Sequence, residues 1–182
     1  MGRLLHRFGS AGSAVGAFKG GGLGIAAPGD GNVYTTDTGN CRLQVFTVSS
    51  ALNQATPAPI EYMGTCGSAS NQMSGPRSIA VKGSTAWIAD VGNNRIARWD
   101  VPNRTSLGPV RPTCGGVALC SPTGVAWDPA GTWLYVADTG NRRVVRMKGT
   151  GASARSSRTA RTRPRGSRVR TTSPSTATVA ST

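Results

Sequence analysis

The chain has 182 residues and a formal net charge of +14, from 21 Lys and Arg against 7 Asp and Glu. His6 is its one histidine and Glu61 its one glutamate, so converging zinc or calcium ligands, and with them a metal or other cofactor, are not expected. It contains neither a run of about twenty apolar residues nor an apolar signal-peptide core, so no membrane association is predicted. The compartment stays open, because a longer parent chain could carry a signal upstream.

Three copies of the sequence Asp-x-Gly-Asn-x-Arg organise the chain, at residues 37–42, 90–95 and 138–143. The aspartates lie 53 residues apart (37 to 90) and then 48 residues apart (90 to 138). A period of this length is typical of propeller blades and solenoid units. We therefore interpret the chain as a repeat protein.

The residue pattern predicts four short strands in each repeat, because apolar, β-branched and aromatic runs are bounded by Gly, Pro, Asn and Asp. A weak strand precedes each cassette at 5–8, at 60–63 and around Val110. The next three are predicted at 25–27, 33–36 and 43–46; at 79–81, 87–89 and 96–99; and at 125–127, 134–137 and 144–147. Ala26, Ala80 and Ala126 suit an inner strand, where sheets crowd around an axis.

The shared turn is interpreted as structural. Gly39, Gly92 and Gly140 are predicted to supply a positive φ, and Asn40, Asn93 and Asn141 to tolerate a left-handed neighbour. On this basis Gly140→Val should cost about 1–2 kcal/mol. Asp37, Asp90 and Asp138 are expected to cap the turn and to pair with Arg42, Arg95 and Arg143. Because the pair recurs in every repeat, neither a catalytic nor a metal-binding role is assigned to it.

The chain resembles the NHL-repeat family in several sequence segments. The matching segments are F-G-S-A-G-S-A-V-G-A-F at 8–18, the strand G-I-A or P-x-G-V-A, and the turn V-A-D-T-G-N-x-R, and together they cover residues 4–147. The resemblance implies an all-β fold of propeller blades with four antiparallel strands each, in repeats at about 4–46, 60–99 and 107–147. Three blades form an incomplete ring, since closed propellers have about four to eight. The chain is then a fragment, which we favour, half of a two-chain ring, or an open arc.

Four cysteines, Cys41, Cys66, Cys114 and Cys120, show no zinc-binding spacing. Cys66 and Cys114 occupy equivalent places in their repeats, which puts them too far apart to bridge. Cys114 with Cys120 is the one plausible local disulfide. Buried free thiols are the default expectation.

Residues 149–182 differ sharply in composition, with seven arginines and no acidic residue. Such a segment buries too little apolar surface to order itself, so we predict a disordered basic tail after a repeat domain at 1–148. The tail is interpreted as a solvated appendage or as the product of an altered reading frame, and alternatively as a phosphate-binding segment.

Three functions remain after this reading. The resemblance favours a non-enzymatic scaffold that binds a protein or peptide partner. The alternative is RNA or other nucleic-acid binding, for which five arginines should share a face: Arg98, Arg104, Arg111, Arg142 and Arg146. The second alternative is a fragment of a propeller enzyme acting on a small molecule. Related amidating lyases and lactonases hold metals with His, Asp and Glu in their channels, so the chain is predicted not to be an enzyme.

Overall fold

Three four-stranded antiparallel sheets follow one another along the chain. The structure is a computed structural model that describes residues 8–21, 23–47, 59–149 and 155–156. The first sheet consists of Ile25–Ala26, Asn32–Asp37, Arg42–Thr47 and Pro59–Met63. The second consists of Pro76–Lys82, Thr85–Asp90, Arg95–Asp100 and Thr105–Ser106. The third consists of Pro122–Trp127, Trp133–Asp138, Arg143–Lys148 and Arg155–Ser156.

Each sheet is preceded by a two-stranded element that we call its ribbon. The first ribbon pairs Ser10–Ala11 with Ala17–Phe18, the second pairs Thr65–Cys66 with Gln72–Met73, and the third pairs Thr113–Cys114 with Val117–Ala118. Two short 3₁₀ turns, Val91–Asn93 and Thr139–Asn141, join the second and third strands of the later two sheets. The described residues contain no α-helix.

The strands in every sheet are hydrogen-bonded in chain order, as in a meander. This order follows from the sequence because short Gly- and Asn-containing turns connect runs of β-branched and aromatic residues. The prediction of all-β blades with four antiparallel strands is thereby confirmed, and the described sheets do not close into a ring.

The second sheet is buried on both faces. One face, including Ile79, Ile88 and Trp99, packs with Tyr34 and Leu43 of the first sheet. The opposite face, with Ala80, Trp87 and Ile96, packs with residues of the third sheet such as Leu134 and Val145. Because side chains alternate between faces along a strand, one sheet contributes to two successive cores.

Side-chain hydrogen bonds also link successive sheets near their first strands. Thr38, in the turn that follows the second strand of the first sheet, donates its hydroxyl to the carbonyl oxygen of Pro76 across 2.7 Å. The backbone N–H of Val125 in the third sheet donates to Oγ of Ser78 across 3.0 Å. The first strands therefore crowd together on one side of the arc, as expected for inner strands of a propeller.

The weak strands predicted before the second and third cassettes belong to the preceding sheet instead. Pro59–Met63 pairs with Arg42–Thr47 and completes the first sheet. Val110 forms an isolated bridge with Ile96 of the second sheet. The segment that comes next in the chain after a sheet's third strand lies nearest to the unpaired edge of that strand, so it pairs there. The residue pattern of a strand does not predict which neighbour it pairs with. The predicted strand at 5–8 lies, except for Phe8, outside the described residues, as does His6.

A two-residue strand lies within the tail that was predicted to be disordered. Arg155–Ser156 is antiparallel to the third strand of the third sheet, opposite Val145 and Arg146. Residues 150–154 and 157–182 lie outside the described residues, so the predicted disorder there and the domain boundary after residue 148 stay predictions.

The predictions of buried free thiols and of a disulfide between Cys114 and Cys120 were wrong. Cys41 and Cys66 form a disulfide, with their Cα atoms 4.9 Å apart. The pairing arises because the second ribbon folds back beneath the turn of the first sheet, where a Cβ on Gly64 would lie 3.2 Å from the carbonyl oxygen of Cys41. Cys120 is free but exposed rather than buried. The side chain of Cys114 lies outside the described residues.

Candidate functional site

The repeated Asp and Arg form the same ion pair in all three sheets, and the aspartate is buried in each. Nε of the arginine lies 3.0 Å from Oδ2 of the aspartate for Arg42 and Asp37, and 2.6 Å for the other two pairs, which join Arg95 to Asp90 and Arg143 to Asp138. The second carboxylate oxygen of each aspartate accepts a backbone N–H from the end of the ribbon, at Lys19, Ser74 and Cys120. Each pair thus joins a ribbon to its sheet.

The arginine guanidinium completes this link by donating to ribbon carbonyls. In the second repeat, Arg95 donates to the carbonyl oxygens of Ser68, Ala69 and Gln72 at 2.7–2.8 Å. The asparagine of the turn, Asn93, donates to the carbonyl oxygen of Gly67 across 2.9 Å and to Asp90 across 2.9 Å. Asn40 and Asn141 make the corresponding two bonds in their repeats. The hydrogen-bond donors of Asn93 and Arg95 are therefore engaged within the fold.

The turn glycines are required for a reason that differs from the predicted positive φ. A Cβ on Gly39 would lie 2.2 Å from the carbonyl oxygen of Lys19, and one on Gly140 would lie 2.5 Å from Sγ of Cys120. A Cβ on Gly92 would similarly lie 2.4 Å from Oγ of Ser74. Glycine is required at these positions because the turn packs directly against the end of the ribbon. The backbone N–H of each glycine donates to the carbonyl oxygen of Lys19, Ser74 or Cys120 across 2.8–3.0 Å.

The left-handed position of each turn is two residues further on. Cys41, Asn94 and Arg142 have φ values of 55°, 52° and 52°. The sequence offered no clear signal for this position, since three different residue types occupy it. The asparagines predicted to tolerate it make side-chain hydrogen bonds to their aspartates instead.

The five arginines proposed for partner or nucleic-acid contact are not brought together. Arg98 and Arg146 hold equivalent places on the third strands of two sheets, where their guanidinium groups lie over Trp87 and Trp133. Arg142 lies in the turn between the second and third strands, and Arg111 donates to the carbonyl oxygen of Asn93 in the equivalent turn. Arg104 lies at the opposite end of its sheet and pairs with Glu61.

The described residues contain a cleft of about 640 Å³ between the second and third sheets, which we call the lysine–tryptophan cleft. It opens at the end of the sheets away from the Asp–Arg pairs. Lys82, Trp87, Trp127 and Lys148 contribute its charged and aromatic lining, and the turn Gly83–Ser84 contributes backbone. Two of the three lysines of the chain thus line one cleft.

Aromatic rings and cations alternate in this cleft. Nζ of Lys82 lies 4.8 Å from the ring centroid of Trp127, which meets the ring of Trp87 edge-on with centroids 5.5 Å apart. Lys82 also donates to the carbonyl oxygen of Gly131. An ammonium group has three N–H donors, so donors remain for a ligand. Nε1 of Trp127 is buried without a hydrogen-bond partner.

No acidic residue lines the lysine–tryptophan cleft among the described residues. The carboxylate of the nearby Asp128 accepts the backbone N–H groups of Thr132 and Trp133, at 2.6 and 3.0 Å. The cleft therefore presents positive charge beside flat apolar surface. This arrangement suits an anionic group attached to an apolar or aromatic one.

The equivalent cleft between the first and second sheets has the opposite charge. It has a volume of about 250 Å³ and is lined by Asp30, Tyr34 and Glu61. The hydroxyl of Tyr34 donates to Oδ2 of Asp30 across 2.5 Å. Burial and this hydrogen bond raise the pKa of Tyr34 to about 12. Burial pushes the pKa of Asp30 upward, but hydrogen bonds from Tyr34 and Asn32 to the carboxylate outweigh it and lower the pKa.

Sequence reasoning missed both clefts. The available signal was the distribution of the four tryptophans, Trp87, Trp99, Trp127 and Trp133, which all belong to the second and third cassettes. Across the described ranges, no group of three or more His, Cys, Asp or Glu side chains is placed to hold a metal ion. Within the same ranges no helix has the length and apolar character needed to cross a membrane.

No protein-family profile and no curated protein sequence matches this chain. Its fold is similar to that of solved structures. These include the Kuenenia stuttgartiensis hydrazine synthase (TM-score 0.55, 12% identity, 71% of this chain and 33% of that one) and the Myxococcus xanthus glutaminyl cyclase (0.52, 10%, 72% and 51%). Selenomethionine-substituted virginiamycin B lyase from Staphylococcus aureus is a third (0.53, 13%, 74% and 40%).

The similarity supports a partial propeller, while the NHL assignment stays a prediction from the motifs. This chain spans between a third and about half of the length of the three structures. By their names these proteins are enzymes, which overturns the expectation that the chain is not an enzyme. At identities of 10–13% the likeness shows the fold alone, so it assigns no reaction to this chain.

Proposed function

We propose that the chain is a propeller-type binding module whose lysine–tryptophan cleft takes an acidic peptide segment of a protein partner. The observation that supports this most is that Lys82, Lys148, Trp87 and Trp127 line one cleft that has no acidic lining residue. Carboxylates of the peptide would accept from the two ammonium groups. An adjacent apolar or aromatic side chain would pack on the indole rings.

Nucleic acid is the less favoured partner on two grounds. A nucleic-acid strand needs a continuous positive track, whereas the neighbouring cleft at the same end of the sheets carries Asp30 and Glu61. The guanidinium group of Arg98 in addition donates to the carbonyl oxygens of Leu107 and Gly108. A short peptide needs only one cleft of this charge, and the lysine–tryptophan cleft supplies it.

The proposal is tested by fluorescence anisotropy with three labelled probes: a Glu/Tyr peptide, its Gln/Tyr counterpart and a single-stranded RNA. The Glu/Tyr peptide should bind and the Gln/Tyr peptide should bind at least about tenfold more weakly, which corresponds to about 1.4 kcal/mol. Binding should also change the tryptophan fluorescence of the protein, since two indole rings line the cleft.

Matched lysine variants locate the site. Combining Lys82→Gln with Lys148→Gln should weaken peptide binding about tenfold or more, because it removes both cationic lining residues. Lys19→Gln, the remaining lysine, is exposed on the first ribbon and should leave affinity unchanged. Equal affinity in the double variant, or tighter binding of the RNA than of the acidic peptide, would contradict the proposal.

A further inference from the structure

Both ends of the three-sheet arc expose apolar side chains whose counterparts in the second sheet are buried. Ile25 in the first sheet is 67% exposed, whereas Ile79, its equivalent in the second sheet, is buried. Val144 in the third sheet is 45% exposed, whereas its equivalent Ile96 is buried. The equivalences rest on identical cross-strand register, since Ile25 faces Thr35 as Ile79 faces Ile88.

The outer face of the third sheet, which we call the trailing face, repeats a face that is covered elsewhere in the chain. The equivalent pairs, second sheet first, are Ala80 and Ala126, Trp87 and Tyr135, Ala89 and Ala137, Ile96 and Val144, and Arg98 and Arg146. The first four residues of the second sheet form part of the core shared with the third sheet. The trailing face thus has the composition of a surface that another sheet covers.

The outer face of the first sheet, which we call the leading face, repeats the other covered surface of the second sheet. The equivalent pairs, second sheet first, are Met73 and Phe18, Ile79 and Ile25, Ala86 and Val33, Ile88 and Thr35, and Trp99 and Phe46. The five residues of the second repeat lie in the core shared with the first sheet. On the leading face Ile25 is exposed, whereas Thr35 and Phe46 are already buried. The ring of Phe46 lies against Phe18 of the ribbon and against Phe8, with centroids 6.0 and 4.9 Å apart.

The leading and trailing faces are therefore the two halves of one type of sheet-to-sheet contact. That contact occurs twice within the chain, once between the first and second sheets and once between the second and third. Stacking a trailing face on a leading face would create the contact a third time. The two faces lie on the first and the third of the three described sheets, so they do not meet within this arc.

We propose that two copies of this chain pack trailing face to leading face and close a ring of six sheets. Contacts between two different surfaces of identical subunits generate a ring when the rotation closes and an open filament when it does not. Six sheets fall within the range of about four to eight blades at which propellers close. Ring closure would also cover Ile25 and Val144 in both copies at once. This inference rests on the two end faces and is independent of the proposed peptide cleft.

The experiment measures the mass of the full 182-residue chain by light scattering during size exclusion, at several protein concentrations. The expected result is the mass of two chains. Val144→Glu on the trailing face and Ile25→Glu on the leading face should each give the mass of one chain. Both residues are exposed in the single arc, so circular dichroism should report unchanged β structure in either variant.

Val117→Glu is the matched control, because Val117 is 49% exposed on the third ribbon and lies on neither end face. This variant should keep the two-chain mass. A single-chain mass for the unmodified protein would overturn the proposal. The end faces would then be surfaces that further repeats of a longer chain cover. Masses above two chains, or a two-chain mass that survives Val144→Glu, would equally overturn the six-sheet ring.

Discussion

Arg95 donates its Nε–H to Oδ2 of Asp90 across 2.6 Å, and the two side chains are 1% and 0% exposed. The same arginine reaches three carbonyl oxygens of the second ribbon. The pair is thus the point at which a ribbon is fastened to its sheet. Its charges are compensated only while both partners are present.

Arg95→Met is expected to destabilise the protein by about 3–5 kcal/mol, because it leaves the carboxylate of Asp90 buried without its partner. The equivalent variant Arg143→Met should cost less, about 1–3 kcal/mol, since the side chain of Arg143 is 19% exposed and its removal would open the buried carboxylate of Asp138 to water. Urea denaturation of the two variants measures the difference. An Arg143→Met variant that is the less stable of the two would contradict the explanation by burial.

Gly140→Ala is expected to destabilise the protein by about 1–3 kcal/mol through overpacking, because the added Cβ would lie 2.5 Å from Sγ and 2.7 Å from the carbonyl oxygen of Cys120. Gly20→Ala is the control, since its Cβ would meet nothing within 4 Å. It should change stability by no more than about 0.5 kcal/mol. Thermal denaturation compares the two.

Arg142→Gly tests the left-handed position directly. Arg142 is exposed and has a φ of 52°, a conformation that costs a residue with a Cβ about 1–2 kcal/mol. Glycine removes that cost but has more backbone entropy to lose on folding, so we expect a net gain of up to about 1 kcal/mol. A clear loss of stability in urea denaturation would show that the Arg142 side chain contributes more than its backbone conformation costs.

Tyr34→Phe should make stability less dependent on pH at the alkaline end. The pKa of Tyr34 is raised in the folded protein to about 12 from an ordinary value near 10. A raised folded pKa adds stability that is complete below pH 10 and is lost as the pH rises towards 12. The stability difference between Tyr34→Phe and the unmodified protein should therefore be largest near pH 8 and shrink between pH 10 and 12. Urea denaturation across this range measures it, and a constant difference would refute the link.

Reduction of the disulfide between Cys41 and Cys66 is expected to destabilise the protein by about 2–4 kcal/mol, because the bond closes a sequence separation of 25 residues in the unfolded chain. Denaturation with and without dithiothreitol measures this. In a Cys41→Ser, Cys66→Ser variant the reductant should have no effect. A similar effect of the reductant on that variant would assign it to a different disulfide, such as one between the exposed Cys120 residues of two molecules.

Local pattern was enough to predict the three repeats and the inner three strands of each sheet. Residues such as Trp87 and Ile88 alternate between faces with a period of two, and the intervening Gly and Asn mark the turns. The pattern did not reveal which residue takes the left-handed turn position. Cys41, Asn94 and Arg142 have no chemistry in common, because the conformation is imposed by the turn around them.

Repeat number, strand order within the cassettes and the strong positive charge follow from residues close together in the sequence, where spacing and propensity decide. The partner of Pro59–Met63, the Cys41–Cys66 disulfide and the lysine–tryptophan cleft instead depend on contacts across distant parts of the chain. Lys82 and Lys148 are 66 positions apart, yet they line one cleft because two sheets pack together. Such contacts are determined by how whole sheets pack together, and the local sequence pattern of either segment carries no information about that packing.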